Sequence, residues 1–268
     1  MNHFRPISLI NFNYKIISKI LSNRLKPLLH KIVSPTQFAF LKGRSIHNNT
    51  ILAYAVFHSM KQKKGNGGLM ALKLDMEKAF DYMKWNFLLK IFYLLGFHPK
   101  WINWINQCLT TSTFSILLDG ASYGNFQPSR GLRQGDPHSP FLFILGTEIM
   151  SRLLLREEML GSLHGLKIAR LSPPISHLLF AYDVIIFSKA NSAEAFVILN
   201  CLNTYSLWSR QCINFCKSVV FYNRNCKPNI KDSINRILRL PPIPARAKYL
   251  GLPLFFDRKK NASFVDLK

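Results

Sequence analysis

The sequence predicts an α+β fold in which an antiparallel sheet packs against helices. Three observations carry this. Several long stretches repeat apolar residues at three- and four-residue spacing, the mark of amphipathic helices. Shorter runs between turn signals are alternately or continuously apolar, the mark of strands. The two kinds of element alternate without a repeating βαβ unit, which favours an antiparallel over a parallel sheet.

Residues 14–32 place Ile16, Ile17, Ile20, Leu21, Leu25, Leu28 and Leu29 at helical spacing, with Lys and Arg on the other face. Pro27 is expected to kink or restart this helix. Residues 62–68, rich in Lys and Gly, form a loop. Leu72, Leu74 and Met76 then alternate with Ala71, Lys73 and Asp75, as a strand does. Residues 84–95 and 99–110 read as helices, split by Gly96-Phe97-His98-Pro99. Residues 114–118 and 123–127 read as a hairpin around Asp119-Gly120. The Gly-rich turn from Arg130 to Pro137 opens a helix over about 140–158. Residues 177–187 read as two short buried strands around a tight turn at 181–183. A helix over 192–210 and strands near 213–222 and 248–254 complete the series.

The chain has 268 residues, 48% of them hydrophobic, including 21 Phe. That is enough apolar surface to drive collapse, so a disordered tail is excluded, and the length suits one large domain or two small ones. Lys and Arg number 36 against 13 Asp and Glu, a net charge of +23. An excess of this size calls for a polyanionic partner, nucleic acid first and an anionic membrane second. Short basic clusters stand at Lys61, Lys63 and Lys64 and at Arg258, Lys259 and Lys260; solvated loop charge explains each as well as an import signal does. No apolar run reaches the 18 residues of a membrane span, and the start carries no secretory signal pattern. The five Cys form no regular framework, which suits a reducing interior. Cys212, Cys216 and Cys226 lack the paired second half that a zinc site needs.

With only 13 acids, each can be weighed separately. Asp75 ends one apolar strand, and Asp183 lies in the turn between two others. A carboxylate beside a buried strand needs a positive partner. In a nucleic-acid-binding chain that partner is either a divalent metal, held together with substrate phosphates, or one of the many Lys and Arg; the residues alone leave both open.

The ordered set of segments is more specific. Phe4-Arg-Pro-Ile-Ser-Leu-Ile10, Gln37–Ser45, Leu74-Asp-Met-Glu-Lys-Ala-Phe-Asp81 and Gly131–Pro137 are followed by Leu179–Asp183, Ile213–Ser218 and Lys248–Pro253. Together they resemble the reverse transcriptase of non-LTR, LINE-type retrotransposons, of the kind abundant in plants, over about residues 4–254. The resemblance implies a right-hand polymerase: a fingers-like region over 1–70, a palm with interleaved finger elements over 71–247, and the start of the primer grip and thumb over 248–268, with the thumb largely missing. It implies RNA-directed DNA polymerisation, with an RNA template, a DNA primer, deoxynucleoside triphosphates and Mg²⁺ (or Mn²⁺). It also implies a nuclear or cytoplasmic, not secreted, protein.

Residue by residue, the resemblance makes Asp75 the first metal-binding aspartate, joined by the carbonyl of Met76, and Asp183 a second acid. Phe80 falls where the family places a bulky side chain under the sugar, which leaves no room for a 2′-hydroxyl. Lys42 and Arg44 fall in the finger segment that meets the triphosphate. Gln134 and Gly135 fall in the turn that meets the incoming nucleotide and template. Lys217 falls where relatives place a proton donor to pyrophosphate, and Leu250-Gly251 in the turn that grips the primer end. Asp136, before Pro137, reads as a helix cap.

One departure stands out. Where the family has paired aspartates, this chain has Tyr182-Asp183. A phenol is uncharged at neutral pH and bulkier than a carboxylate, so the site loses a metal ligand and catalysis is expected to fall by several orders of magnitude. Asn48 stands where family members often carry Asp, and His138 where they often carry Leu. Two rival functions remain: a non-catalytic nucleic-acid-binding remnant, and a relative of group II intron maturases. The maturase reading calls for a further C-terminal RNA-binding domain.

Overall fold

The computed structural model describes residues 8–244 and 247–254. The segment that begins at Phe4 is therefore described only from Ser8, and the Arg258–Lys260 cluster lies outside the described residues, as does most of the 248–268 segment expected to begin the primer grip and thumb. In chain order the elements are α1 (Phe12–Ile32), α2 (Ile46–Gln62), β1 (Leu69–Leu74), β2 (Met76–Glu77), α3 (Ala79–Tyr82), α4 (Trp85–Leu94), α5 (Pro99–Thr110), β3 (Phe114–Leu118) and β4 (Ala121–Phe126). There follow α6 (Ser139–Met159), β5 (His177–Phe180), β6 (Asp183–Lys189), α7 (Ser192–Ser209), β7 (Cys212–Ile213), β8 (Val219–Tyr222), α8 (Pro228–Leu238), β9 (Lys248–Tyr249) and β10 (Leu252–Pro253). Contacts divide the chain into a first unit (residues 1–34, 77–150 and 204–212) and a second (35–76, 151–203 and 213–268).

The second unit is built on an antiparallel sheet in the order β5-β6-β1-β8. β1 and β6 pair from Leu69↔Lys189 to Leu74↔Val184, so β1 lies in the interior of the sheet. One face of the sheet packs against α2. There Ala53, Val56, Phe57 and Met60, spaced three and four apart, meet Ala71, Ile185 and Phe187. Phe57 makes edge-to-face contacts with Phe187 and Phe221 at 5.6 and 5.5 Å. Full burial of each such side chain contributes about 2–3 kcal/mol.

His177, on β5, is fully buried among hydroxyls. Its Nε2 lies 2.6 Å from Ser151 Oγ and 3.0 Å from Thr36 Oγ1, and its Nδ1 lies 3.0 Å from Ser176 Oγ. Burial lowers its pKa to about 3. The unfolded chain therefore takes up this proton first. The ring's contribution to stability is complete above the ordinary value near 6.5 and is lost as pH falls toward 3. Between pH 7.5 and 5 this one group should remove about 2 kcal/mol. Urea unfolding at the two pH values, with His177→Gln as comparison, should show a smaller pH dependence in the variant; equal dependence would refute the assignment.

The first unit is largely helical. α4 buries Leu88, Ile91 and Phe92, and an aromatic series from Phe92 through Phe97 and Trp101 to Trp104 links it to α5, with centroids 4.9, 6.1 and 6.3 Å apart. α5 starts where its sequence says it should: His98 caps with its ring nitrogen and Pro99 occupies the first turn. Gly146 on α6 leaves room for Met83, whose methyl would lie 2.7 Å from an added Cβ.

Four readings change. α1 passes through Pro27 as one helix, and its buried face is Ser18, Leu21, Ser22, Leu25 and Leu29, while Ile16, Ile17, Ile20 and Leu28 are exposed. The strand expected over 213–222 is two short strands around a turn at 214–218, because Lys217 and Ser218 N–H both bond back to the Asn214 carbonyl. The strand expected over 248–254 is the β9–β10 hairpin, turned by Leu250 (φ +50°) and Gly251 (φ +83°). α2 and α8 were not foreseen at all. Among the described residues no helix is long and apolar enough to cross a membrane.

Candidate functional site

The second unit gathers acids at one end of its sheet. Asp183 is the first residue of β6, and the β1–β6 register, continued one step past Leu74↔Val184, sets Asp75 across from it. Directly opposed residues of antiparallel strands hold their Cβ atoms about 4.5–5.5 Å apart. Both acids are half-buried. Asp75 is fixed by its peptide: its N–H donates to Ser218 Oγ (3.1 Å) and its carbonyl accepts from Asn214 N–H (2.8 Å). The 214–218 turn thus clamps Asp75 while presenting an exposed Lys217.

The β5–β6 hairpin closes on a two-residue turn, Ala181-Tyr182, with Phe180 paired to Asp183. Ala181 takes φ +55°, where glycine is the usual occupant, so the turn is held against strain by its surroundings. Buried Gln37 supplies that hold. Its Oε1 accepts from Ala181 N–H (3.1 Å) and Ala39 N–H (3.0 Å), and Gln37 bridges in parallel to Leu179. Asn49 Nδ2 donates to the Leu179 carbonyl (3.0 Å), and the Tyr249 hydroxyl donates to Asn49 Oδ1 (2.7 Å). Burial, and then the charge of Asp183, push the Tyr249 phenol far up, so it stays a donor. Gln37, Asn49, Tyr249 and Ser218 thereby position the acids and their turn. Gln37, Ser218 and Tyr249 lie in segments that the sequence reading quoted but received no role there, and Asn49 was not named, because all four act through contacts distant along the chain.

The donor set is two carboxylates and nearby carbonyls. Among the described residues no group of three or more His, Cys, Asp or Glu converges. Hard oxygen donors in this number fit Mg²⁺ completed by substrate phosphates, and they do not fit zinc. Tyr182 is half-buried in the turn, next to Asp183 in the chain.

Of the other expected residues in this unit, Lys42 is exposed, and Arg44 Nη1 donates to the Gln37 carbonyl (2.6 Å) within the same loop. Met76 is buried. Leu250 and Gly251 form the β9–β10 turn. The first unit holds Phe80, Gln134 and Gly135. Phe80 stacks on Phe143 (4.6 Å, 9°), and its carbonyl accepts from Leu132 N–H (2.7 Å). The Gln134 carbonyl accepts from Ser8 N–H (3.2 Å), and Gly135 is exposed with φ +98°.

Asp136 does more than cap. It is buried, accepts from the Tyr14 hydroxyl (2.8 Å), the Ser18 hydroxyl and His138 N–H (3.1 Å), and pairs with Arg133 at 3.9 Å. Arg133 in turn lies over the Tyr14 ring at 4.1 Å. This network locks the Gly131–Pro137 turn onto α1, and it explains why α1 buries serines.

His138 is the flaw in that packing. It is buried, burial lowers its pKa to about 4 against the pull of Asp136, and its Nε2 has no hydrogen-bond partner among the described residues. An orphaned buried polar atom costs about 1–3 kcal/mol, so His138→Leu should raise stability by that order. Thermal unfolding at pH 7 measures it; an unchanged or lower midpoint would count against the orphaned nitrogen.

The sequence profile of the family described as reverse transcriptase (RNA-dependent DNA polymerase) matches residues 1–254. The chain belongs to the reverse transcriptase family. Within that family it is similar to retrotransposon proteins of the non-LTR, LINE type. The transposon TX1 149 kDa protein of Xenopus laevis is 27% identical over 219 residues, covering 81% of this chain and 16% of its own length. The Pol polyprotein of retrotransposable element R2 from Nasonia vitripennis is 28% identical over 186 residues, covering 69% and 17%. The mitochondrial protein AtMg01250 of Arabidopsis thaliana is 54% identical over 68 residues, covering 25% and 56%. The chain therefore spans about a sixth of the TX1 and R2 proteins. Telomerase of Candida tropicalis, solved in complex with a fragment of telomeric RNA, aligns over 92% of this chain and 37% of its own, with a TM-score of 0.58 and 15% identity. The reverse transcriptase fold, an α+β polymerase palm and fingers with an antiparallel sheet, is shared between them.

Proposed function

We propose that this reverse transcriptase domain is the polymerase core of a LINE-type element, in a copy whose chemistry is impaired by Tyr182. The observation that carries the reading is the pair of acids, Asp75 and Asp183, opposed at one end of the sheet with a phenol in the adjoining turn. The ancestral reaction adds a deoxynucleotide to a primer on an RNA template. The primer 3′-oxygen attacks the α-phosphorus, the bond to the bridging oxygen breaks, the 3′-hydroxyl proton is lost and pyrophosphate leaves.

Asp75 and Asp183, with the Met76 carbonyl, would hold Mg²⁺ or Mn²⁺. Such an ion, when bound, supplies charge neutralisation and activates the attacking hydroxyl. The chain's own residues divide the remaining work. Lys42 and Arg44 receive the triphosphate, and Lys217 gives a proton to the departing pyrophosphate. Phe80 occupies the space of a 2′-hydroxyl and so favours deoxynucleotides. Gln134 and Gly135 border nucleotide and template, and the turn at Leu250-Gly251 holds the primer end. On this reading residues 1–70 are fingers-like, 71–247 the palm, and 248–268 the start of the primer grip. The net charge of +23 supports a nucleic-acid partner, as does the RNA bound by the telomerase relative.

Tyr182 favours a second reading, a binding module that keeps its affinity for nucleic acid and has lost its chemistry. Primer extension on an RNA template separates the two, run with the natural chain, Tyr182→Asp, and Tyr182→Asp combined with Asp75→Asn. The polymerase reading requires the first variant to extend and the double variant to be inert. Extension that survives loss of Asp75 would overturn the assigned site.

A further inference from the structure

The opposite end of the β1–β6 ladder carries a cavity that the polymerase reading leaves unused. Its volume is about 800 Å³, and it lies wholly in the second unit, between α2, the start of β1, the end of β6 and the 165–168 segment. Leu69 and Lys189, the paired residues at that end, both line it, whereas Asp75 and Asp183 stand at the other end. Six residues of strand separate the two ends, about 20 Å.

Every ionisable side chain of fixed charge on the rim is a cation: Lys63, Lys167 and Lys189, joined by His58. Among the described residues no Asp or Glu lines the cavity. Glu194, which accepts from Lys189 N–H (3.1 Å), is buried and takes His164 and Asn191 as further partners. The backbones that carry the lysines are held. Asn225 Nδ2 donates to the Lys63 carbonyl (2.8 Å), Ser59 Oγ donates to the Lys167 carbonyl (3.4 Å), and Lys189 ends a paired strand. The three lysines are exposed, whereas the floor is partly apolar, with Met60 buried and the half-buried Tyr54 ring fixed by its hydroxyl's bond to the Pro253 carbonyl (2.6 Å).

A cationic rim over an aromatic and apolar floor matches a strand of nucleic acid, which offers phosphates on one side and flat bases on the other. We propose that this cavity is a second nucleic-acid contact, in which Lys63, Lys167 and Lys189 take successive phosphates of a single strand and the half-buried Tyr54 ring carries a base. It goes beyond the polymerase reading and does not depend on it, because no residue of the acid pair takes part.

The test is fluorescence anisotropy of the full chain with a labelled 20-nucleotide single-stranded RNA and no primer, titrated from 50 to 300 mM salt. Lys63→Gln/Lys167→Gln/Lys189→Gln is compared with a control triple on exposed positions of α1, Lys15→Gln/Lys19→Gln/Lys31→Gln. Each lost phosphate contact lowers the salt slope by about 0.7, so the cavity triple should lose about 2 from the slope and bind at least roughly tenfold more weakly at 100 mM salt. The control should change by less than about half as much. Tyr54→Ala should weaken binding without altering the slope. Equal losses in both triples, or no loss in the cavity triple, would overturn the proposal. So would intact RNA binding alongside lost binding to vesicles containing phosphatidylserine, which would assign the rim to a membrane surface.

Discussion

Tyr182→Asp should raise primer extension on an RNA template by about 10²–10³-fold over the natural chain, the size of effect that one well-placed electrostatic group exerts at a transition state. The argument starts from charge. Pyrophosphate release develops negative charge beside a triphosphate that already carries several, and the positive ions offsetting it must themselves be held by carboxylates. Asp75 and Asp183 offer two. Tyr182 occupies the second position of the turn immediately before Asp183, so an aspartate there adds its charge next to the existing pair. The turn itself should tolerate the change. Ala181, the residue at φ +55°, is untouched, and Gln37 continues to hold its N–H. Bulk and charge are separable: Tyr182→Asn removes the ring without supplying the carboxylate and should recover little of the rate. If Asn restores as much as Asp, steric obstruction rather than a missing ligand is the lesion. If Asp restores nothing, Tyr182 is not the lesion.

What the sequence disclosed and what it withheld follow from the range of the interactions. α5 was legible to the residue because its signals are local: the Gly96–Pro99 break before it and the helical pattern over 99–110. β1 was read from an alternation over 71–76, whereas the strand runs from Leu69 to Leu74 and is buried on both faces; β6 was legible as an apolar run, and the acids stood out because so few exist in the chain. α2 was hidden because its buried face opens with Asn49 and Thr50, polar residues that read as loop. Asn49 is buried where it serves the Leu179 carbonyl, 130 positions away, and the hydroxyl of Thr50 is satisfied by the Ile46 carbonyl one turn back. α8 was passed over for a different reason: its signal was local and present, with Pro228 in the first turn and Ile230, Ile234, Ile237 and Leu238 at helical spacing, but the reading did not use it. α1 was found as a helix, but its orientation was misjudged. An apolar stripe is a guide to the buried face only when the core it meets is apolar. Here Ser18 and Ser22 face inward to meet Asp136 and the Pro137 carbonyl. The seven segments were recognisable as a set, whereas the positioning roles of Gln37 and Ser218 within them were not, because both are common residue types whose partners lie far along the chain.

Gly131→Ala should be the most destabilising small substitution in the Gly131–Pro137 turn, at about 3 kcal/mol, or roughly 6–12 °C in unfolding midpoint. Two costs combine. Gly131 takes φ +94°, which an L side chain adopts only under strain, and an added Cβ would lie 2.8 Å from the Asp81 carbonyl oxygen and 3.3 Å from the Asp81 carbonyl carbon and Cα. Neither neighbour is a flexible side chain that could swing away. The peptide is also tied down on both sides: Gly131 N–H donates to the Met83 carbonyl (2.8 Å), and the Gly131 carbonyl accepts from Trp85 Nε1 (2.6 Å). Relief therefore requires the turn to move as a whole, breaking the bond from Leu132 N–H to the Phe80 carbonyl. Gly96→Ala isolates the strain cost, because Gly96 has φ +77° and nothing within 4 Å of an added Cβ; it should lose only about 1 kcal/mol. Placed on the Tyr182→Asp background and assayed well below both midpoints, Gly131→Ala should also slow extension, while Gly96→Ala leaves it near the parent rate. The turn would then couple Phe80 to Gln134 and Gly135 through backbone bonds that a methyl group displaces. Equal destabilisation by the two alanines would show that the turn yields at no cost, and the close approach to Asp81 would carry none of the stability assigned to it.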